Sequence, residues 1–374
     1  MDKILLSAGL AFLIAFFAIP IIIRVAKEKK LFDEPDDRKV HKEIIPTLGG
    51  LGIFAGFILA ILIGTPPSAE SELQYFVAAS IVLFFIGIKD DIVTLSVSIK
   101  IAGQLIAAGI LVKFGGTIIN DMHGFLGIHQ IPNIASIVLS FFTIIVVTNS
   151  FNLIDGVDGL AGSLSLLTSA VFGIYFYSIG QLGYAVMSFS LLGALISFLI
   201  YNFSPAKIFM GDTGSLLVGL VNSFLVIKFI NIAEMPTTSI QVESAPAVGF
   251  AILMIPLFDT LRLFTIRILS RRSPFNPDRN HLHHYLLDIG LSHRNTTIFY
   301  VVANLFFIGL AFQFRHLGTT LLMGLLFSIA ISFTLCIYYL RHRKKNFSEE
   351  VFTNSESAQS SQLFKLASES VEID

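Results

Sequence analysis

Residues 149–162 read NSFNLIDGVDGLAG, and apolar runs close on both sides, 133–149 before and 160–179 after. Asn149, Asn152, Asp155 and Asp158 recur at every third position. In a helix that spacing carries polar groups along one flank. Gly156 and Gly159 interrupt the pattern and let backbone approach a ligand. A capped helix start, with the first Asp as cap and the glycines as a turn, needs one such residue and not four. Two amides and two carboxylates at the mouth of a membrane helix are costly unless they bind something. Hard oxygen donors of this kind suit a divalent metal together with phosphate.

The rest of the chain extends that setting. Of 374 residues, 54% are hydrophobic and 14% charged, with a mean hydropathy of +0.78. Such a composition excludes an ordinary soluble globule and implies an all-α polytopic membrane protein. Apolar runs long enough to span occur at 4–23, 47–65, 73–89, 98–114, 133–149, 160–179, 182–201, 213–230, 247–269, 296–313 and 318–340, which predicts about eleven transmembrane helices. The first run has the length of a full span and reads as a helix, not a cleavable signal. The single cysteine, Cys336, excludes an intrachain disulfide.

Charge sets the orientation. With the N-terminus outside, all but four of the 25 Lys and Arg (Lys3, Lys113, Lys228 and Arg315) fall in or beside the inner segments 24–46, 90–97, 150–159, 202–212 and 270–295 or the tail from Arg341. Basic residues mark the cytoplasmic side, so the N-terminus is expected to be periplasmic and the C-terminus cytoplasmic, in a multi-pass protein of the inner (plasma) membrane. Residues 1–340 form the membrane domain with cytoplasmic loops. Residues 341–374 begin with RHRKK, which stops transfer and meets anionic headgroups, and continue as a Ser/Glu-rich tail expected to be disordered. His123 and His129, in the outer stretch 120–130, read as structural.

The unusual polar clusters all fall on the cytoplasmic side. DRKVHKEIIPTLGG (37–50) offers Arg38, Lys39, His41 and Lys42 to phosphate or nucleotide, against a plain reading as positive-inside charge. GIKDDIVTLS (87–96) places Asp90 and Asp91 at the end of the third span. Adjacent side chains do not share a helix face. One can engage metal or phosphate while the other meets Lys89, Lys100 or a proton, and paired carboxylates suit a general base. In YNFSPAKIFMGDTGSLLVG (201–219), Asp212 opens the eighth span, either as its cap or as a metal ligand beside a helix N-terminus that attracts phosphate. Phe209 is a candidate to stack on a base. The stretch 259–294 carries an Asp259–Arg262 pair, the basic residues Arg271, Arg272 and Arg279, and His281, His283 and His284. H-x-H-H lacks the separated pairs of a structural zinc site, so the histidines read as donors to phosphate. Acids, amides, a basic loop and histidines on one membrane face point to metal-assisted phosphoryl transfer between a lipid and a water-soluble substrate.

PTLGG (46–50), KDDI (89–92), NSFNLIDGVDGLAG (149–162), FMGDTGS (209–215) and NHLHH (280–284), in that order, resemble the polyprenyl-phosphate N-acetylhexosamine-1-phosphate transferases over about residues 1–340. H-L-H-H after a Pro-Asp-Arg segment is similar to the WecA/TagO-like branch. The resemblance implies that a UDP-N-acetylhexosamine, most often UDP-GlcNAc, gives its sugar-1-phosphate to undecaprenyl phosphate and releases UMP with Mg2+ or Mn2+. By motif position Asn152 and Asp212 would hold the metal. Asp90 and Asp91 would orient or deprotonate the lipid phosphate, and Asp155 and Asp158 would shape the metal and uridine pocket. Asn202 and Phe209 would lie near the nucleotide with Asn149, while Lys42, Arg279, His281, His283 and His284 would meet phosphate or sugar. The partners so implied are the two substrates and the bilayer, with no nucleic acid; a homodimer stays open. The rivals are a phospho-MurNAc-pentapeptide transferase, which the histidine motif disfavours, and a secondary transporter, which would place ionisable groups and broken helices near the midplane.

Overall fold

A computed structural model describes residues 2–29, 45–66, 70–271 and 281–371, the side chains of 70, 71 and 347–371 apart. Helix α8 (Gly211–Ala233) is its axis: almost every residue from Thr213 to Ile230 is buried. A helix apolar all round belongs inside a bundle, and its neighbours supply the cover. Against it pack α3 (Glu70–Ile92), α5 (Asn133–Ile154) and α2 (Gly49–Gly64). Outside these, α1 (Asp2–Glu28) lies along α2 and α7 (Leu182–Asn202), and α7 lies along α6 (Leu160–Ser178). Helix α4 (Val97–Gly109) continues as a π-helical turn over Ile110–Phe114 and packs on α3 and α5. Close approach needs small residues: a Cβ at Gly87 would stand 2.5 Å from the Thr213 Cα.

Eight helices among the described residues are long and apolar enough to cross a membrane, nine if a bent pair counts as one. The bent pair departs from the expected single span at 247–269. It breaks at Leu253 into α9 (Ala245–Ile252) and α10 (Met254–Leu269), 87° apart. The cause is Pro256, which has no N–H to give the Ile252 carbonyl one turn earlier. Asn304 mends both sides: its Nδ2 donates to Ile252 O (2.9 Å) and its Oδ1 accepts from Ile255 N (3.1 Å). Backbone groups freed inside a bilayer are tolerated where side chains re-satisfy them in this way.

The chain ends with α11 (Leu282–Ile289), α12 (His293–Gln313) and α13 (Thr319–Val371). The expectation of a disordered tail falls largely on residues whose side chains lie outside the described ones. The start of that segment does more than meet headgroups. Arg341 pairs with Asp288 (2.7 Å) and lies over the Tyr285 ring, and Lys344 donates to Ile289 O (2.7 Å), fastening α13 to the histidine helix α11. Among the described residues the fold is helical apart from one hairpin, β1 (Asp121–Phe125) with β2 (Ile128–Gln130). There His123 pairs with Glu234 at 3.0 Å, the structural place expected of it.

Candidate active site

The ends of α3, α5 and α8 meet at Lys100 of α4. Its ammonium lies 2.5 Å from Asp90 Oδ2 and 2.6 Å from Asp212 Oδ2. Asn152 Nδ2 donates to the other Asp212 oxygen (2.9 Å) and to Ser215 Oγ (2.9 Å). Asp90 Oδ1 accepts from Leu95 N (2.6 Å), which turns the chain from α3 toward α4. Asp155, at the C-terminal end of α5, makes no hydrogen bond or ion pair among the described residues. Burial, with Asp212, Asp91 and Asp158 nearby, pushes its carboxyl up to about 8. A carboxylate so placed gains from any cation brought beside it.

Asp91 has a task that sequence did not indicate. Both its oxygens cap α8: Oδ1 accepts from Asp212 N (2.7 Å), and Oδ2 from Thr213 N (3.0 Å) and Thr213 Oγ1 (2.6 Å). Helix α8 has no side-chain cap of its own, so a neighbouring helix satisfies its first donors. Asp212 is therefore not the cap. Gly211 stands in the left-handed region (φ +68°), and a Cβ there would collide with the Thr47 carbonyl and come within 2.7 Å of the Asp91 carboxylate. Only glycine fits that turn.

Other expected ligands turn inward. Asn149 exchanges hydrogen bonds with Gln104 of α4 (2.6 and 3.2 Å) and donates to Ile145 O. Asn202 accepts from Gly159 N (2.9 Å) and donates to Ile208 O (2.8 Å). Asp158 is buried, accepts from Ala206 N (3.2 Å) and lies 3.4 Å from His293 Nδ1. These contacts tie the three residues to the scaffold. Phe209 is half-buried, with its N–H given to Pro46 O and its carbonyl accepting from Gly49 N, so PTLGG is strapped to FMGDTGS through backbone. Lys42 and Arg279 lie outside the described residues.

The histidines approach from α11. His281 Nδ1 lies 2.8 Å from Asp259 Oδ2 and stacks on His283 (5.1 Å between centroids, 11° between planes). His283 reaches the central motif: a Cβ on Gly156 would lie 2.8 Å from its Nε2. Burial pulls His283 down to about 3, which favours a neutral ring, and its buried Nδ1 has no hydrogen-bond partner among the described residues. His284 stands beside both, 4.4 Å from His283 between centroids. Asp259, His281 and His283 hold donor atoms within 4.8 Å of one another. That is close enough for zinc, but Asp259 is already taken by His281, Leu282 N–H and Arg262. Alanine at His283 or His284 is expected to lower activity, and elemental analysis of the wild-type protein to find no zinc. A stoichiometric zinc signal would show that the triad binds metal.

This is a cluster of hard oxygens, bridged by a lysine, at the ends of apolar helices. Residues 73–230, which run through α3 to α8 and hold every carboxylate of that cluster, match glycosyl transferase family 4. Over 317 residues the chain is 32% identical to a probable undecaprenyl-phosphate N-acetylglucosaminyl 1-phosphate transferase of Bacillus subtilis, covering 82% of this chain and 85% of the relative. The chain belongs to glycosyl transferase family 4. It is also 28% identical over 310 residues to the undecaprenyl-phosphate alpha-N-acetylglucosaminyl 1-phosphate transferase of Yersinia pestis (81% and 82% covered). With the decaprenyl-phosphate N-acetylglucosaminephosphotransferase of Mycobacterium leprae it shares 32% over 321 residues (77% and 78%). Family membership makes the chain a membrane transferase and upholds the resemblance read from its motifs. The histidine segment lies beyond the residues matched to the family.

Proposed function

We propose that this family member transfers N-acetylglucosamine-1-phosphate from UDP-GlcNAc to undecaprenyl phosphate and releases UMP, the first membrane step of an envelope polysaccharide such as O-antigen or teichoic acid. The observation that carries the reading is the Lys100-centred cluster of Asp90, Asp212 and Asn152, with Asp155 beside it lacking a partner among the described residues. The lipid phosphate oxygen forms a bond to the phosphorus that bears the sugar. The bond from that phosphorus to the bridging oxygen breaks, and its electron pair leaves with UMP.

The donor set fits Mg2+ or Mn2+: carboxylate and amide oxygens suit hard cations, and Asp155 is short of a countercharge. Asp155, Asp212 and Asn152 would hold the ion, which when bound neutralises the diphosphate. Lys100 keeps Asp90 and Asp212 in register and offers its ammonium to phosphate. Asp90 orients the lipid phosphate. Asp91 positions Asp212 by fixing the start of α8. With Asp91 and Asp90 both engaged by protein donors, neither is poised as a nucleophile, which favours direct attack. Purified protein given undecaprenyl phosphate and a panel of UDP-sugars should release UMP and form lipid product with UDP-GlcNAc. Turnover restricted to UDP-MurNAc-pentapeptide would refute the assignment.

The reading also includes eleven spans with the site facing the cytoplasm, supported by the distribution of Lys and Arg. A reporter active only in the cytoplasm, fused after Lys345, should be active. Activity of a periplasm-dependent reporter at the same position would place the carboxylates on the side that lacks nucleotide sugars.

A further inference from the structure

We propose that Asp259 is a positioning residue for the transfer, fixing the ring of His281 so that its Nε2 is the atom left to meet a phosphate oxygen of the nucleotide-sugar. This rests on the functional reading above. Asp259 is on α10, just after the break at Leu253, and its side chain is 3% exposed. One oxygen lies 2.8 Å from His281 Nδ1; the other accepts from Leu282 N (3.1 Å), the first backbone donor of α11. A buried carboxylate on Nδ1 sets the tautomer and orientation of an imidazole and stabilises it when both nitrogens are protonated. In the substrate complex the ring then gives one N–H to Asp259 and the other to phosphate.

The surroundings are consistent with that task. The charged and titratable groups around the pair are Arg262 on α10 (3.6 Å from Asp259), His283 and His284 on α11, and His293 and Tyr300 on α12. Arg262 also lies over the Tyr285 ring (5.1 Å), which Arg341 meets as well. Groups from α10, α11, α12 and α13 thus surround the pair. His281 stacks on His283, which abuts Gly156 between Asp155 and Asp158. The histidines thereby stand next to the central motif.

The test is a cycle of Asp259→Asn, His281→Ala and the double variant in full-length protein, assayed from pH 6 to 9 with UDP-GlcNAc and undecaprenyl phosphate, with folding checked by thermal unfolding in detergent. Asp259→Asn is expected to lose about 10- to 100-fold, the usual cost of removing a ligand's orienting partner. The loss should appear in kcat and in KM for UDP-GlcNAc, with KM for undecaprenyl phosphate unchanged, because the phosphate that His281 meets belongs to the nucleotide-sugar. The double variant should be no worse than His281→Ala alone. Where Asp259→Asn is not recovered folded, Asp259→Glu takes its place in the cycle with the same non-additivity expected. A raised KM for undecaprenyl phosphate, an additive double variant, or one zinc per chain overturns the proposal. Absence of turnover by the wild-type protein overturns the functional reading as well, so the two failures are distinct.

Discussion

Asp212→Asn is expected to lower turnover by at least about three orders of magnitude while leaving a folded, detergent-stable protein. The loss combines a metal-binding oxygen with charge stabilisation at the diphosphate, each worth a hundredfold or more in comparable sites. The fold should survive for a local reason. Asp91, not Asp212, caps α8, so the helix start keeps its three hydrogen bonds. Lys100 retains Asp90 at 2.5 Å. The new amide can still accept from Asn152. Excess Mg2+ should restore part of the rate. Near-normal activity in this variant would mean that the Asp212 carboxylate holds no ion, and metal binding would have to be sought at Asp155 alone.

The adjacent acids should separate in kind. Asp90→Asn is expected to cost about two to four orders of magnitude in kcat with little change in thermal stability, because the amide oxygen can still accept from Leu95 N. Asp91→Ala removes the side-chain cap of α8 and leaves Thr213 Oγ1 without its acceptor. That should cost roughly 2–4 kcal/mol of stability, on the scale of a lost cap plus hydrogen bonds to a charged group. Activity should fall with it. Thermal unfolding and kinetics on both variants decide the matter: an Asp91→Ala protein of wild-type stability but no activity would return Asp91 to direct chemistry.

Why some of this was legible in the sequence and some not follows from particular residues. Asp90, Asp155, Asn152 and Asp212 stand out because each interrupts or ends an apolar run, where an unpaired polar group is expensive. The same logic flags Asn149, Asn202 and Asp158, yet these are satisfied by Gln104, by the backbone of Gly159 and Ile208, and by Ala206. Nothing in a local spacing tells an amide that faces a ligand from one that faces a neighbouring helix. Lys100 was visible as a partner for Asp90. Its grip on Asp212, 112 residues away, depends on how α4 crosses the bundle. The break at Leu253 had a signal in Pro256, overridden by the apolar length of 247–269. The pairing of Asp259 with His281 joins groups 22 residues apart across a segment outside the described residues, and no periodicity reports it.

The central claim is a single direct displacement with both substrates bound, on a site whose carboxylates are held by protein donors and do not serve as nucleophiles. Isotope exchange tests it most directly. Radiolabelled UMP should enter UDP-GlcNAc when undecaprenyl phosphate or lipid product is present, and not in lipid-free protein. Robust exchange without lipid, or a sugar-phosphate trapped on Asp90 or Asp91, would establish a covalent two-step route and contradict the account.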